Sequence, residues 1–222
     1  MTDASLIALL PPAQRLALAY AQVSSRQPFL AFFALDARLA GIVRAASEPV
    51  LGQLRLAWWR DRLAEEHALW PAGEPVLAAL HSWMGQHHGL GELVDGWEAM
   101  LGEAPLSDHA LAQHATGRAA AFAALAGLTG CEAAAEDAGR MGHNWGLADL
   151  AAHVTHGDEQ AAAAQLMAHR NWNQTALPRA LRPLTVLHGL ARREIFGRET
   201  TARRRQPIAT ILAAIRLGLL GR

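Results

Sequence analysis

The sequence predicts an all-α chain, and three observations carry that prediction. Helix formers (Ala, Leu, Arg, Glu, Gln) dominate the 222 residues. β-branched residues are sparse, and no Asn-Gly or Asp-Gly step separates two alternating apolar runs, so hairpins have no signal. Apolar residues instead recur at three- and four-residue intervals between Pro, Gly and Asx punctuation.

Bulk composition bounds the function classes. Hydrophobic residues make up 51 % of the chain and charged residues 18 %, enough apolar material for a sizeable core and too little charge for disorder. The formal net charge of +0 argues against a nucleic-acid partner. Every long cation is arginine, which reads as compositional bias of the coding DNA. The single cysteine, Cys131, excludes an intrachain disulfide and suits a small core or helix-end residue. The stretch MTDASLIALLPPAQR carries Asp3 and no leading cations, unlike a signal peptide. No apolar run reaches the length of about 18 residues needed for a membrane span. A cytoplasmic protein is expected, peripheral at a membrane surface at most. No internal repeat or low-complexity linker divides residues 1–222, so they read as a single domain.

The elements follow in order from the punctuation. Pro11-Pro12 starts a helix to about Val23, Ser24–Pro28 is a break, and Phe29 to about Ala46 is a long apolar helix. Glu48-Pro49 starts the next, since an acid and a residue of preset φ suit a helix N-terminus; it runs to about Leu69. Trp70–Gly73 is a loop. Glu74-Pro75 opens a helix to about His88, Gly89–Gly91 breaks it, and Glu92–Leu101 is a short amphipathic piece. Ser107 is an N-cap for a helix to about Leu128. Glu132 to about His156 is another long helix, broken by Gly157-Asp158, with a further helix to about Arg170. After the Asn171–Thr175 loop come helices over Leu177–Phe196 and Thr200–Leu220.

The segment EPVLGQLRLAWWRDR, Glu48–Arg62, carries two apolar stripes, Leu51/Leu54/Trp58 and Leu56/Trp59/Leu63. Together they cover about half the helix surface, which predicts packing on more than one side. The guanidinium groups of Arg55, Arg60 and Arg62 then need acidic partners or solvent; Asp95 and Glu98 are candidate partners in a structural salt bridge. Ala110–Leu128 is apolar nearly all round, broken by His114 and Arg118. Such a helix is expected at the centre of a thick bundle, around a cavity.

Four segments then resemble one family in collinear order: Phe32–Val43 (FFALDARLAGIV), Glu48–Arg62 with its Trp59-Arg60 pair, Leu93–Glu98 (LVDGWE), and Ala138–His153 (AGRMGHNWGLADLAAH). They resemble the squalene/phytoene synthases, all-helical enzymes that join two prenyl diphosphates head to head. The resemblance implies an isoprenoid (terpenoid) synthase-type helical bundle. It also implies an apolar cavity whose wall would include Asp36, Ala40, Arg44, Arg55, Trp59, Arg118 and Asp149, with Arg44 and Arg118 placed to meet an anion.

The departures from the family bear on chemistry. Two aspartate-rich clusters on facing helices are expected there, because Mg²⁺ must bridge a strongly anionic diphosphate to protein carboxylates. At the positions of the first cluster this chain has Ala40, Gly41 and Arg44; at the second it has His153, His156 and Gly157. Asp36 has no acidic neighbour one turn away. Two hard-oxygen sites cannot be built from that set, so no catalytic residues and no cofactor are expected. The chain looks more like short family members similar to a mitochondrial assembly factor for respiratory complex I. That implies a non-catalytic protein acting by binding, with membrane respiratory subunits as partners. The alternatives are an Mg²⁺-dependent prenyl diphosphate transferase with an unusual ligand set, and a carrier of an isoprenoid or another lipid.

Further constellations remain. Asp149, His153 and His156 share one helical face at i, i+4 and i+7, the spacing of a transition-metal site with open positions; polar residues at a helix end are the alternative. His87-His88 at a helix end suit the negative end of the dipole. At the C-terminus, Arg192, Arg193, Arg198, Arg203–Arg205 and Arg216 interleave with Ile208, Ile211, Leu212, Ile215 and Leu219. This is a basic amphipathic helix, suited either to peripheral contact with an anionic membrane or to closing the core.

Overall fold

A computed structural model of the chain describes residues 3–197, 216–218 and 221. The all-α expectation is borne out: no strand occurs among the described residues. The helices are α1 (Asp3–Leu9), α2 (Pro12–Leu18), α3 (Val23–Ala45), α4 (Pro49–Ala64), α5 (Pro75–Leu80), α6 (Gly91–Glu98), α7 (Asp108–Leu128), α8 (Ala135–His153), α9 (Gly157–Ala168) and α10 (Arg182–Gly197). Single 3₁₀ turns at His67–Leu69, His81–Trp83, Gln86–Leu90, Ala99–Leu101, Glu132–Ala134 and Arg179–Leu181 join or extend them. No described helix is long and apolar enough to cross a membrane. The expected helix over Thr200–Leu220, with its Arg203–Arg205 cluster, lies largely outside the described residues. Its described part is helical at 216–218, with Leu217 against Gly189 of α10.

Local signals place most helix starts. Ser107 accepts from the Ala110 amide at 3.2 Å, and Glu74 accepts from Val76 at 3.2 Å while also binding Arg38. Pro49 and Pro75 occupy first turns, where their missing amides cost no bond. Tertiary contacts decide the rest. The expected break at Ser24–Pro28 is instead the first turns of α3, with Pro28 inside the helix. Pro28 and Phe29 are buried, the Trp83 indole donates to the Pro28 carbonyl at 3.2 Å, and Arg26 donates to the last carbonyl of α2 at 2.9 Å. These contacts offset the one helical bond that proline removes.

α4 stops at Ala64, five residues before the expected end. Its final carbonyls find side-chain donors instead of further helix: Trp70 binds Arg62 O at 2.6 Å, His88 binds Leu63 O at 2.7 Å and His87 binds Glu65 O at 2.9 Å. His87 and His88 therefore serve the C-terminus of another helix. Burial pushes the His87 ring below its ordinary pKa, so it caps as a neutral donor. The expected continuous helix over Glu74–His88 is broken at Met84 and Gly85, whose φ values are +47° and +82°.

The centre of the bundle is aromatic. Phe32 meets Phe122 edge-on at 4.9 Å between centroids, Phe122 meets Trp145 at 5.7 Å, and Phe29 and Phe33 pack beside them with their rings tilted by 57° to each other. All but Trp145 have no exposed surface. α7 and α8 approach closely because Gly142 lies against the Phe122 ring, where a Cβ would come within 2.5 Å of it. Side chains from α3, α7 and α8 thus fill the space around Phe122. An open apolar groove of about 350 Å³ lies elsewhere, between α7 and α8, lined by Ala119, Ala120, Ala123, Ala135 and Gly139.

The loop after α9 is tied to α8. Arg140 donates to Asn171 O, Asn173 O and Thr175 Oγ1, and Asn144 donates to Asn171 O at 2.8 Å. His188 of α10 completes this patch through the Gln174 side chain at 3.0 Å. Burial, assisted by neighbouring arginines, holds His143 and His188 down to about 4. Between pH 6.5 and about 4 the unfolded chain therefore takes up protons that the folded chain does not, and stability falls as pH falls through that window. For fully buried His188 alone the expected loss by pH 4 is on the order of 3 kcal/mol. Urea unfolding between pH 7.5 and pH 4.5 checks this; an unchanged midpoint would contradict it.

Candidate functional site

Three helices bring one charge each to a common point. α3 supplies Asp36, α7 supplies Arg118 and α8 supplies Asp149. Arg118 grips Asp36 as a fork, Nε to Oδ1 at 3.2 Å and Nη2 to Oδ2 at 3.0 Å, and reaches Asp149 Oδ2 through Nη1 at 2.7 Å. The Arg118 and Asp36 side chains are 3 % and 2 % exposed, so the fork is fully desolvated; Asp149, at 29 %, keeps an edge in solvent. Asp36 receives two more donors, the Trp97 indole on Oδ1 at 2.8 Å and Gln14 Nε2 on Oδ2 at 3.1 Å. Each of its oxygens thus accepts two hydrogen bonds. The guanidinium also lies 4.5 Å from the Trp145 ring centroid and 5.3 Å from that of Trp97. Burial alone would lower the Arg118 pKa, but the two carboxylates overcome it and hold the group above the ordinary arginine value.

His114 sits one turn before Arg118 and is equally buried, edge-on to Trp97 at 4.4 Å. Neither ring nitrogen has a protein partner. Burial, then the neighbouring Arg118 charge, drives its pKa well down, so the ring is neutral.

The other residues singled out by sequence fall in different places. Ala40 is buried on α3, one turn beyond Asp36. Trp59 is buried in α4, edge-on to Trp58 at 5.0 Å, and makes no hydrogen bond to the Asp36 cluster. Arg44 and Arg55 are exposed, so neither joins the central charges. Arg118 commits three of its five N–H donors to the carboxylates of Asp36 and Asp149. Arg60 pairs with Asp95 at 2.6 Å and with Glu98, tying α4 to α6 as a structural salt bridge. The Glu98 bond, outweighing burial, raises the Arg60 pKa.

Asp149, His153 and His156 do not form one ligand set. His153 is exposed and turns Nδ1 to the Asp149 backbone carbonyl at 2.6 Å, while His156 accepts from the Asp158 amide and caps α9. Helical spacing put them on one face, but α8 ends at His153 and the chain turns away before His156. Among the described residues, no group of three His, Cys, Asp or Glu side chains stands placed to hold a metal.

A magnesium–diphosphate pair is therefore a poor fit to this donor set. It needs several carboxylate oxygens with free lone pairs. Here Asp36 has none to spare, Asp149 is turned to Arg118, and Ala40 occupies the next turn.

Trp97 and Gln14 belong to this cluster, and sequence reasoning did not find them. Trp97 lies inside LVDGWE, and Gln14 is a buried polar residue beside Ala17 and Leu18. The one available signal is that a buried carboxylate needs more donors than a single arginine fork supplies; it does not say which side chains provide them.

No curated protein and no solved structure matches the chain. The squalene/phytoene synthase family model matches residues 13–160, two thirds of the length, including Gln14, Asp36, Trp97, Arg118 and Asp149. With the all-α bundle, this match shows that the chain belongs to the squalene/phytoene synthase family and has its isoprenoid synthase-type fold.

Proposed function

We propose that this chain is a family member that performs no head-to-head condensation and acts by binding. One observation supports the reading: the Arg118 guanidinium stands between the carboxylates of α3 and α8. A covalently attached cation neutralises those acids as a metal ion would, but it offers no coordination position to a phosphate oxygen. The scaffold keeps its internal charge balance while the chemistry loses its Lewis acid.

The test is incubation of the full-length protein with farnesyl or geranylgeranyl diphosphate and Mg²⁺. Diphosphate release at the buffer background is expected; magnesium-dependent release above it would contradict the proposal. The partner we infer is a membrane subunit of a respiratory complex, which rests on the likeness of the Trp58-Trp59-Arg60-Asp61 helix to the short, acid-poor members. Solubilised host membranes should yield respiratory subunits with the tagged protein, and their absence would remove this partner. The aromatic packing of Phe32, Phe122 and Trp145 weighs against an isoprenoid carrier.

A further inference from the structure

Only one of the two apolar stripes of α4 is buried. Leu56, Trp59 and Leu63 enter the core, whereas Val50, Leu51, Leu54 and Trp58 are 61, 46, 64 and 38 % exposed. This corrects the expectation that α4 packs on more than one side. Leu51, Leu54 and Trp58 follow each other by three and four residues, the spacing of a coiled-coil seam. Along one edge of that seam, Glu48, Arg55 and Arg62 recur every seven residues.

We infer that this stripe is the contact surface for a second copy of the chain, packed antiparallel about a two-fold axis near Arg55. The charges select this occupant and direction. A parallel pair would carry this edge on opposite sides of the seam, against Val50, Ala57 and Ala64 of the other copy, where no charge answers it. The antiparallel pair sets Glu48 of each copy beside Arg62 of the other, which would take it as a second acid besides its own Glu65, and leaves only the exposed Arg55 facing its own kind. Leu51, Leu54 and Trp58 of the two copies then interleave across the axis. Such a contact is isologous and closes at two subunits. The rim argues against an anionic bilayer as occupant: Glu48 and Asp61 are exposed there beside Arg55.

Analytical ultracentrifugation of the full chain over a concentration series tests the inference. The wild type should show a monomer–dimer equilibrium. Leu54→Glu should weaken it about tenfold or more, because each interface would then enclose unpaired carboxylates. That substitution lies on solvent in the monomer, so circular dichroism and the unfolding midpoint should be retained. Glu48→Arg should weaken the dimer, and Glu48→Arg combined with Arg62→Glu should restore it. A wild type that stays monomeric throughout, a dimer indifferent to Leu54→Glu, or a charge swap without rescue would overturn the inference. So would a monomer whose binding to phosphatidylglycerol vesicles is lost in Leu54→Glu, which would assign the stripe to a membrane.

Discussion

Arg118→Ala is expected to lower the stability of the fold by about 3–5 kcal/mol. The loss comes from what is left behind. Asp36 would keep the Trp97 and Gln14 hydrogen bonds but stay buried with no counter-charge. Asp149 would lose its pair with Arg118 and depend on its solvent edge. The guanidinium's packing over Trp145 would go as well. Arg118→Lys should retain part of the stability, since an ammonium keeps the charge but cannot fork onto Asp36 and reach Asp149 together. Urea titrations of both variants check these statements; an Arg118→Ala variant within about 1 kcal/mol of the parent would contradict them.

Gly117→Ala should cost about 3 kcal/mol despite adding a better helix former. A Cβ on Gly117 would stand 2.4 Å from the Glu92 carbonyl oxygen and 3.0 Å from the Leu93 Cα. Both are backbone atoms, so no rotamer change relieves the clash and α6 must move away from α7. α6 also carries Trp97, which donates to Asp36, and Asp95 and Glu98, which hold Arg60. The substitution therefore acts on the buried charges without touching them. Gly127→Ala on the same helix is the control: a Cβ there meets nothing within 4 Å, and a gain of about 0.5 kcal/mol is expected. Thermal unfolding of the pair checks the contrast, and equal effects at the two positions would contradict it.

What is legible in the sequence follows from how local the deciding interactions are. Ser107, Pro49 and Pro75 mark helix starts because a cap or a preset φ acts within three residues of itself. The ends are less legible. α4 stops where Trp70, His87 and His88 meet its carbonyls, and α3 runs through Pro28 because Trp83 and Arg26 reinforce that turn. Periodicity finds both apolar stripes of α4 but carries no information about which one the rest of the chain covers. Asp36, Arg118 and Asp149 each stand out as polar residues in apolar helices. Their union does not, because Asp36 and Arg118 are 82 positions apart and meet only when α3, α7 and α8 are packed. Spacing along one helix suggested Asp149, His153 and His156 as a group, whereas the spatial partner of Asp149 comes from α7.

Arg118 is the resident cation of a buried ion cluster with Asp36 and Asp149. The most direct measurement is a double-mutant cycle in urea between Asp36→Asn and Arg118→Met, which remove each charge with little change of shape. Each single variant should be destabilised, and the double variant should be more stable than the sum of the two losses requires, by about 2 kcal/mol or more. Additive losses would mean that the two charges do not answer one another, and the contradiction would reach the proposal that a protein side chain holds the place of the metal.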